Sequence, residues 1–210
     1  MCATLQHSIN NSIINILSSY IIYKLNKNKL SNDIKIIILF FLYAGLMQIF
    51  DIIFWLNQKK NNTNFIFTKI AMIINNLQPI ILLLLISLYY KLNDFTNFIL
   101  ILYIIISLHY SINIFNKINY TLVTKNSYPV LDWKWNYCEN SIYTYTLFIL
   151  ILIIAPLYLN YPLNIICMLY LSLSWIFSFY YNKKIAGKTW CIIGAYFPFI
   201  IILLQICKII

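Results

Sequence analysis

The chain has 210 residues, of which 62% are hydrophobic and only 10% are charged. Soluble domains carry about 25% charged residues, so this composition excludes an ordinary soluble domain and also a disordered tail. The formal net charge of +10 comes entirely from lysine, since the chain contains no arginine. Nucleic acid is not an expected partner, because the bidentate guanidinium groups that read phosphate and guanine are missing. The expected partner is the lipid bilayer.

Seven apolar segments follow one another along the chain, and each predicts a membrane-spanning helix. They are too long and too uniformly apolar for barrel strands, so we expect an all-α, polytopic transmembrane helix bundle of seven helices. The first segment is the weakest, because Asn10, Asn11 and Asn15 dilute its start. Residues 1–210 then form one integral membrane domain with a single long loop at 116–140. The predicted spans are 8–23, 34–56, 68–90, 98–115, 142–159, 163–181 and 190–206.

The distribution of lysines between the two faces of a seven-span bundle predicts its orientation. The face that carries the N-terminus holds nine lysines and the opposite face holds six, which favours a cytoplasmic N-terminus in a host or viral membrane. Glycosylation sequons at Asn10, Asn61 and Asn119 lie on the same face and favour the reverse. The nine lysines are Lys59, Lys60, Lys69, Lys117, Lys125, Lys134, Lys183, Lys184 and Lys188.

The second and third predicted spans carry polar residues within their apolar runs. Gln48 and Asp51 are three residues apart and share one helix face, and Trp55 continues the same stripe. In span three, Gln78 precedes Pro79, which frees a backbone carbonyl one turn earlier and predicts a kink. Ionisable residues inside a membrane tend to mark ion or substrate pathways, so Asp51 is a candidate functional residue.

Polar residues of two other spans are expected near the level of Asp51. His109 in span four lies about as far from the N-terminal face as Asp51, and Trp190 and Cys191 open span seven. We therefore predict a polar pocket that opens toward the N-terminal face and is roofed by the loop 116–140. The predicted ligand-binding residues are Gln48, Asp51, Asn75, Gln78, His109 and Trp190.

The same residues also have structural interpretations. Asp51 can bond to amides of neighbouring helices and hold the bundle together, and His109 can be a hydrogen-bonded interior histidine. An aromatic belt at the membrane interface accounts for several tryptophans. These are Trp55, Trp133, Trp135 and Trp190.

The five cysteines do not define a metal site. Cys167 and Cys207 fit buried apolar positions. Cys2, Cys138 and Cys191 are expected on the N-terminal face, where they are candidates for a disulfide or a thiol site. No CxxC spacing supports bound metal, and no cofactor is predicted.

Four short motifs occur in a recognisable order: Met-Cys at the start, GLMQIFDIIFW in span two, TKIAMIINNLQP in span three, and Trp-Cys in the last span. Together they resemble a family of uncharacterised multi-pass membrane proteins of bacteria and giant DNA viruses. Members tend to open with Met-Cys-Trp-Ser, whereas Ala3 stands here in place of the tryptophan. The resemblance transfers no activity. It implies candidate residues at Cys2, Gln48, Asp51, Gln78, Pro79, Trp190 and Cys191.

Three classes of function follow from these observations. The first is binding or transport of a small polar ligand, ion or proton through the pocket. The second is a structural or membrane-remodelling component, such as part of a virion. The third, an enzyme acting on lipids, is less favoured, because it needs Asp51 and His109 within about 3 Å of each other as an acid–base pair.

Overall fold

The computed structural model describes residues 4–124, 130–133, 135, 141–181 and 186–210, without the side chain of Lys188. The described chain is almost entirely helical, which confirms the predicted all-α class. One short antiparallel ladder joins β1 (Leu122–Val123) to β2 (Leu131–Asp132) within the long loop. The helices are α1 (Leu5–Leu25), α2 (Asn32–Leu56), α3 (Asn62–Ser87), α4 (Asp94–Phe115), α5 (Ser141–Ile154), α6 (Leu163–Tyr181), α7 (Ala186–Gly194) and α8 (Phe197–Ile206).

Side-chain caps set the starts of the first four helices. Thr4, Ser31, Asn61 and Asn93 each accept a hydrogen bond from the backbone N–H three residues later. These bonds satisfy amides that have no partner within the helix. The caps explain why α3 and α4 begin several residues before the apolar runs at 68 and 98 that marked them in the sequence.

Six segments of the described chain are long and apolar enough to cross a membrane. Six of the seven predicted spans therefore correspond to segments of membrane-spanning length and hydropathy, and the fold is compatible with a membrane protein. The predicted first span is a helix of 21 residues, α1, but its serines and asparagines keep it out of this set. The six segments are Asn32–Leu56, Asn62–Ser87, Asp94–Phe115, Ser141–Tyr158, Leu163–Tyr181 and Thr189–Ile206.

Neighbouring helices at the start of the chain run antiparallel and meet near their middles. Asn15 of α1 lies against Gly45 of α2. Tyr43 Oη of α2 donates to the carbonyl of Ile74 in α3 at 3.0 Å, and Tyr103 Oη of α4 donates to the carbonyl of Asn76 at 2.6 Å. The two acceptor residues flank Asn75. The carbonyl of Asn75 has no donor within the helix, because Pro79 lacks the N–H that would bond to it. The helix α3 continues through Pro79, and tyrosines of α2 and α4 bond to it at that level.

The outer surface of the bundle is apolar. On α4, for example, Ile101, Ile105, Leu108 and Ile112 are exposed by 56 to 70%. Exposed apolar area on this scale indicates a surface that meets lipid or a partner rather than water.

Helix α1 buries polar side chains and exposes apolar ones over most of its length, which is the reverse of an amphipathic helix in a soluble protein. Between residues 11 and 23 its exposed positions are apolar, including Ile13, Leu17 and Tyr20, whereas exposed polar residues occur only near its two ends. Small polar residues in membrane helices favour close packing against a neighbour, so this pattern suits a helix inside a bilayer. The buried stripe, which packs against α2 and α8, consists of Ser8, Asn11, Ser12, Asn15, Ser18, Ser19 and Ile22.

The loop that follows α4 folds over one end of the bundle. We call its described residues, 116–124, 130–133 and 135, the roof. Trp133 and Trp135 of the roof are fully buried, with ring centroids 4.6 Å apart. Trp190 is also buried, at 7% exposure. The belt interpretation is therefore wrong for these three tryptophans, since a belt residue would meet the membrane interface, whereas Trp55 is half-buried.

Candidate functional site

A small cavity lies near the middle of the bundle, between α1, α2, α3, α5, α6 and α7. Its volume is about 70 Å³, and part of its wall is apolar, from residues such as Phe40, Phe41 and Leu171. Three carboxamides line it together, although they are far apart in sequence. The polar or polarisable lining residues are Asn15, Gln48, Gln78, Trp190 and Cys191.

The carboxamides of the cavity are shielded from the outside. Asn15, Gln48 and Gln78 are exposed by only 2, 3 and 7%. Asn15 is the central residue of α1, so the cavity sits at mid-helix rather than at the N-terminal face. Two of the predicted pocket amides, Gln48 and Gln78, line this cavity. The cavity lies deeper in the bundle than a pocket at the N-terminal face would.

Asn15 is the residue of this cavity that the sequence prediction missed. Its Oδ1 atom is buried and has no hydrogen-bond partner among the described residues. A buried amide oxygen without a donor costs about 1–3 kcal/mol, so such atoms usually have a water, ion or ligand nearby. The amide lies over Gly45, where an added Cβ would stand 3.2 Å from both Cγ and Oδ1 of Asn15.

The last membrane-length segment is interrupted where it borders the cavity. Helix α7 ends at Gly194 and α8 begins at Phe197, and both Gly194 and Ala195 line the cavity. Pro198 has no N–H, so it cannot donate the bond that the Gly194 carbonyl would accept in a continuous helix. Interrupted helices often line ion sites in membranes, because their freed carbonyls can coordinate cations.

Two aromatic side chains connect helix α6 to the segment that contains this break. Trp190 Nε1 donates to Ser174 Oγ at 2.9 Å, so the indole N–H is already satisfied and the ring forms cavity wall. Tyr170 Oη donates to the carbonyl of Ile193 at 2.5 Å. The aromatic side chains therefore fix the broken segment beside the cavity.

Asp51 is fully buried one turn beyond Gln48, between the cavity and the roof. It is not among the residues that line the cavity. The surrounding cluster includes Met47, Phe54 and the two roof tryptophans. Asp51 is thus on the same helix face as Gln48, and the backbone positions of the two residues are about 4.5 Å apart along the helix axis.

Polar bonds fasten the roof to the ends of α2 and α3. Asn64 Nδ2 donates to the carbonyls of Asn57 at 2.7 Å and Thr121 at 2.9 Å, and Asn64 Oδ1 accepts from Thr121 N at 3.0 Å. Thr68 Oγ1 also accepts from Thr121 N at 3.0 Å. At the other side, Tyr110 Oη donates to the carbonyl of Trp135. The expected covering of this end by the long loop is therefore present in the described residues.

Besides Asp51, two other predicted ligand residues, His109 and Asn75, lie outside the cavity. His109 is exposed on α4, where its Nε2 pairs with Asn113 Nδ2 at 2.9 Å. An exposed His109 and a fully buried Asp51 do not favour the acid–base pair that a lipid enzyme would need. Asn75 Nδ2 instead bonds to Tyr145 Oη at 3.4 Å, between α3 and α5.

The predicted thiol site lies mostly outside the described residues, which include neither Cys2 nor Cys138. Cys191 lines the cavity, and Cys167 is buried as expected, whereas Cys207 is exposed. Within the described ranges, no group of three histidine, cysteine or acidic side chains could hold a metal ion.

A second buried carboxylate, at the end of the bundle opposite the roof, was not predicted as notable. Asp33 in the first turn of α2 accepts from Tyr90 Oη, and from Asn160 Nδ2 at 2.9 Å. Burial, the hydrogen bond to Asp33 and the charge of Asp33 raise the pKa of Tyr90 to about 12. This cluster joins the loops after α3 and α5 to the start of α2. Its bonds are all internal, so we assign it to stability.

No protein-family model matches the chain, and neither a curated protein nor a solved structure shows significant similarity to it. The family resemblance seen in the sequence motifs stays a prediction.

Proposed function

We propose that the chain is a seven-span membrane protein whose central cavity binds a small monovalent cation. The observation that carries this proposal is the buried Oδ1 of Asn15, which borders the cavity and has no hydrogen donor among the described residues. The Gly194 carbonyl, to which Pro198 cannot donate, offers a second oxygen at the helix break beside the cavity. Acceptors without donors favour a cation, which neutral oxygens can coordinate inside a membrane.

The volume of the cavity limits what it can hold. A water molecule needs about 10–15 Å³ of cavity volume, so about 70 Å³ admits a monovalent ion with a few waters. Pockets for metabolites or drug-sized ligands are about 300–1,000 Å³, which argues against a sugar or nucleotide. Calcium and magnesium favour carboxylate ligands, and none of the described carboxylates lines this cavity.

Asp51 gives the site its negative charge in this account. A cation in a bilayer is costly unless an opposite charge is near, and attraction between charges is strong where the effective dielectric constant is low. Asp51 lies one turn from Gln48 on the same face of α2 and is fully buried. We therefore assign Asp51 the role of counter-charge, not of direct ligand.

Helix α1 is the seventh span in this proposal. Its 21 residues extend about 31 Å, close to the hydrocarbon thickness of about 30 Å. Its low average hydropathy results largely from the Ser and Asn stripe that the bundle buries, whereas the exposed positions between residues 11 and 23 are apolar. With α1 in the membrane, Asn15 sits at mid-depth.

The experiment is thermal unfolding of the purified chain in detergent with Na⁺, K⁺, Li⁺ or NH₄⁺. N-methylglucamine replaces each ion at constant ionic strength. We expect one small ion to raise the melting temperature saturably. Gln78→Leu should abolish the rise and Asp51→Asn should weaken it. Asn113→Leu is the matched control, since it removes an exposed amide far from the cavity.

Two results would count against the proposal. One is a melting temperature that follows ionic strength but not ion identity. The other is an ion-specific rise that Gln78→Leu and Asn113→Leu leave equally intact. Ion flux in proteoliposomes then distinguishes a carrier, which moves the bound ion, from a protein that only holds it.

A further inference from the structure

A groove runs along the outer side of the bundle between α3 and α4. Its volume is about 560 Å³, and its walls are mostly aliphatic. Leu108 and Ile112 on its rim are exposed by 56 and 70%. The groove therefore opens sideways from the bundle, toward the region that lipid would occupy around a membrane-embedded chain.

A few polar groups lie within this apolar groove. Asn76 Nδ2 donates to Ser111 Oγ at 3.1 Å, and both residues line the groove together with Ser107. Ser107 Oγ is turned to the carbonyl of Ile104 in its own helix. The Ser111 hydroxyl accepts this bond and can still donate its own proton. Ser111 lies about 6 Å along the helix from Phe115, which is at the end of α4.

A lysine stands at the end of the groove. The Nζ atom of Lys69 lies 4.2 Å from the ring centroids of both Phe65 and Phe115, and Phe115 is itself a groove residue. Within the described part of the chain, no carboxylate is paired with Lys69. Two aromatic faces hold the ammonium group at the end of α4, where the surface of a bilayer would lie.

We propose that this groove binds one phospholipid, with an acyl chain along α3 and α4 and the phosphate against the ammonium group of Lys69. Shape and charge agree with this occupant: a long aliphatic channel, a hydroxyl at the level of the ester groups, and one cation at the head. The site does not depend on the cation cavity, because the two share no lining residue.

A second copy of the chain is a weaker candidate for the groove. The chain has five acidic residues, and Asp33 and Asp51 are buried. Another copy therefore offers few carboxylates to the ammonium group of Lys69, whereas every phospholipid offers a phosphate.

Native mass spectrometry of the full chain tests this site. The probes are phosphatidylglycerol and a diacylglycerol with the same acyl chains but no phosphate. We expect one phosphatidylglycerol to be retained and diacylglycerol to be lost more easily. Lys69→Gln should weaken phosphatidylglycerol binding about fivefold, the contribution typical of one lysine near a membrane surface. Ser111→Phe should fill the groove and displace both lipids.

Matched variants separate this site from general effects. Lys24→Gln removes a cation over an exposed ring, since Lys24 Nζ lies 5.3 Å from the ring centroid of Tyr20. Asn113→Phe adds a ring on α4 outside the groove. Both should bind phosphatidylglycerol as the parent does, and circular dichroism should show all four variants folded. Equal losses in Lys69→Gln and Lys24→Gln, equal retention of the two lipids, or a dimer that Ser111→Phe dissociates would each overturn the proposal.

Discussion

The carboxamide of Asn15 on α1 lies directly over Gly45 on α2, and the absence of a side chain at residue 45 allows this approach. A Cβ atom there would stand 3.2 Å from two atoms of the Asn15 side chain. Such a separation is tighter than ordinary carbon contacts, so the amide would have to move. Because Asn15 lines the central cavity, the same contact couples helix packing to the proposed cation site.

Gly45→Ala should therefore destabilise the chain. Alanine favours a helix by about 1 kcal/mol over glycine, but overpacking costs about 1–3 kcal/mol, so we expect a net loss. Gly187→Ala is the matched control, because a Cβ at Gly187 meets nothing within 4 Å. It should stabilise the chain by up to about 1 kcal/mol. Denaturant unfolding in detergent measures both, and equal stabilisation by the two substitutions would contradict the packing described here.

The two ends of α1 should lie on opposite sides of the membrane. In a chain whose native cysteines are replaced by serine, single cysteines at Gln6 and Asn28 flank this helix. We expect an impermeant maleimide to label only one of them in sealed vesicles, and the other after permeabilisation. The lysine distribution further predicts that Gln6 faces the cytoplasm. Labelling of both positions from one side would leave α1 outside the membrane and the bundle with six spans.

Tyr90 should lose its proton only at strongly alkaline pH. Its pKa in the folded chain is about 12, against an ordinary value of 10.0. The folded state thus binds this proton more tightly, so the stabilisation is complete below pH 10 and is lost as the pH rises from 10 to 12. The difference in tyrosinate absorbance between the parent and Tyr90→Phe reports this titration.

Asp33 should be one cause of that shift. In Asp33→Asn the negative charge is gone, so the pKa of Tyr90 should fall toward its ordinary value. Tyr89→Phe serves as the matched control and should leave the Tyr90 titration in place. An unchanged Tyr90 titration in Asp33→Asn would show that the carboxylate has no part in it.

Asn64→Leu should loosen the roof. The substitution removes four hydrogen bonds, two of them to Thr121, and each contributes about 0.5–1.5 kcal/mol. We expect a loss of about 2–3 kcal/mol and faster proteolysis within the long loop. Asn10→Leu, which removes an exposed amide on α1, should change neither. Unaltered proteolysis of Asn64→Leu would mean that the roof is held by its buried tryptophans alone.

The sequence was sufficient to predict those elements whose signal is local. Continuous apolar runs predicted α2, α3 and α4, and Gln48 and Gln78 were found because amides are rare in such runs. Asn15 was missed for the opposite reason, since its helix is rich in serine and asparagine and its average hydropathy is low. The spacing of Ser8, Asn11, Asn15 and Ser18 carried a usable signal, because it places them on one buried face.

The remaining differences between the prediction and the structure depend on the rotation of each helix about its axis and on packing between residues that are far apart in the sequence. Depth in a span can be counted along the sequence, but the direction a side chain faces depends on how its helix is rotated. His109 therefore matched Asp51 in depth and still faces outward, bonded to Asn113. The burial of Trp133 and Trp135 results from a loop folding onto three distant helices, which no local pattern encodes.

The most direct test of the central claim is to locate the cation. Crystals of the chain in lipidic mesophase would be grown with Rb⁺ or Tl⁺, whose anomalous scattering identifies the ion. The account predicts one anomalous peak in the cavity between Asn15, Gln48 and Gln78, and no such peak in Gln78→Leu. An ordered cavity that contains only water, at ion concentrations that saturate any thermal shift, would contradict it.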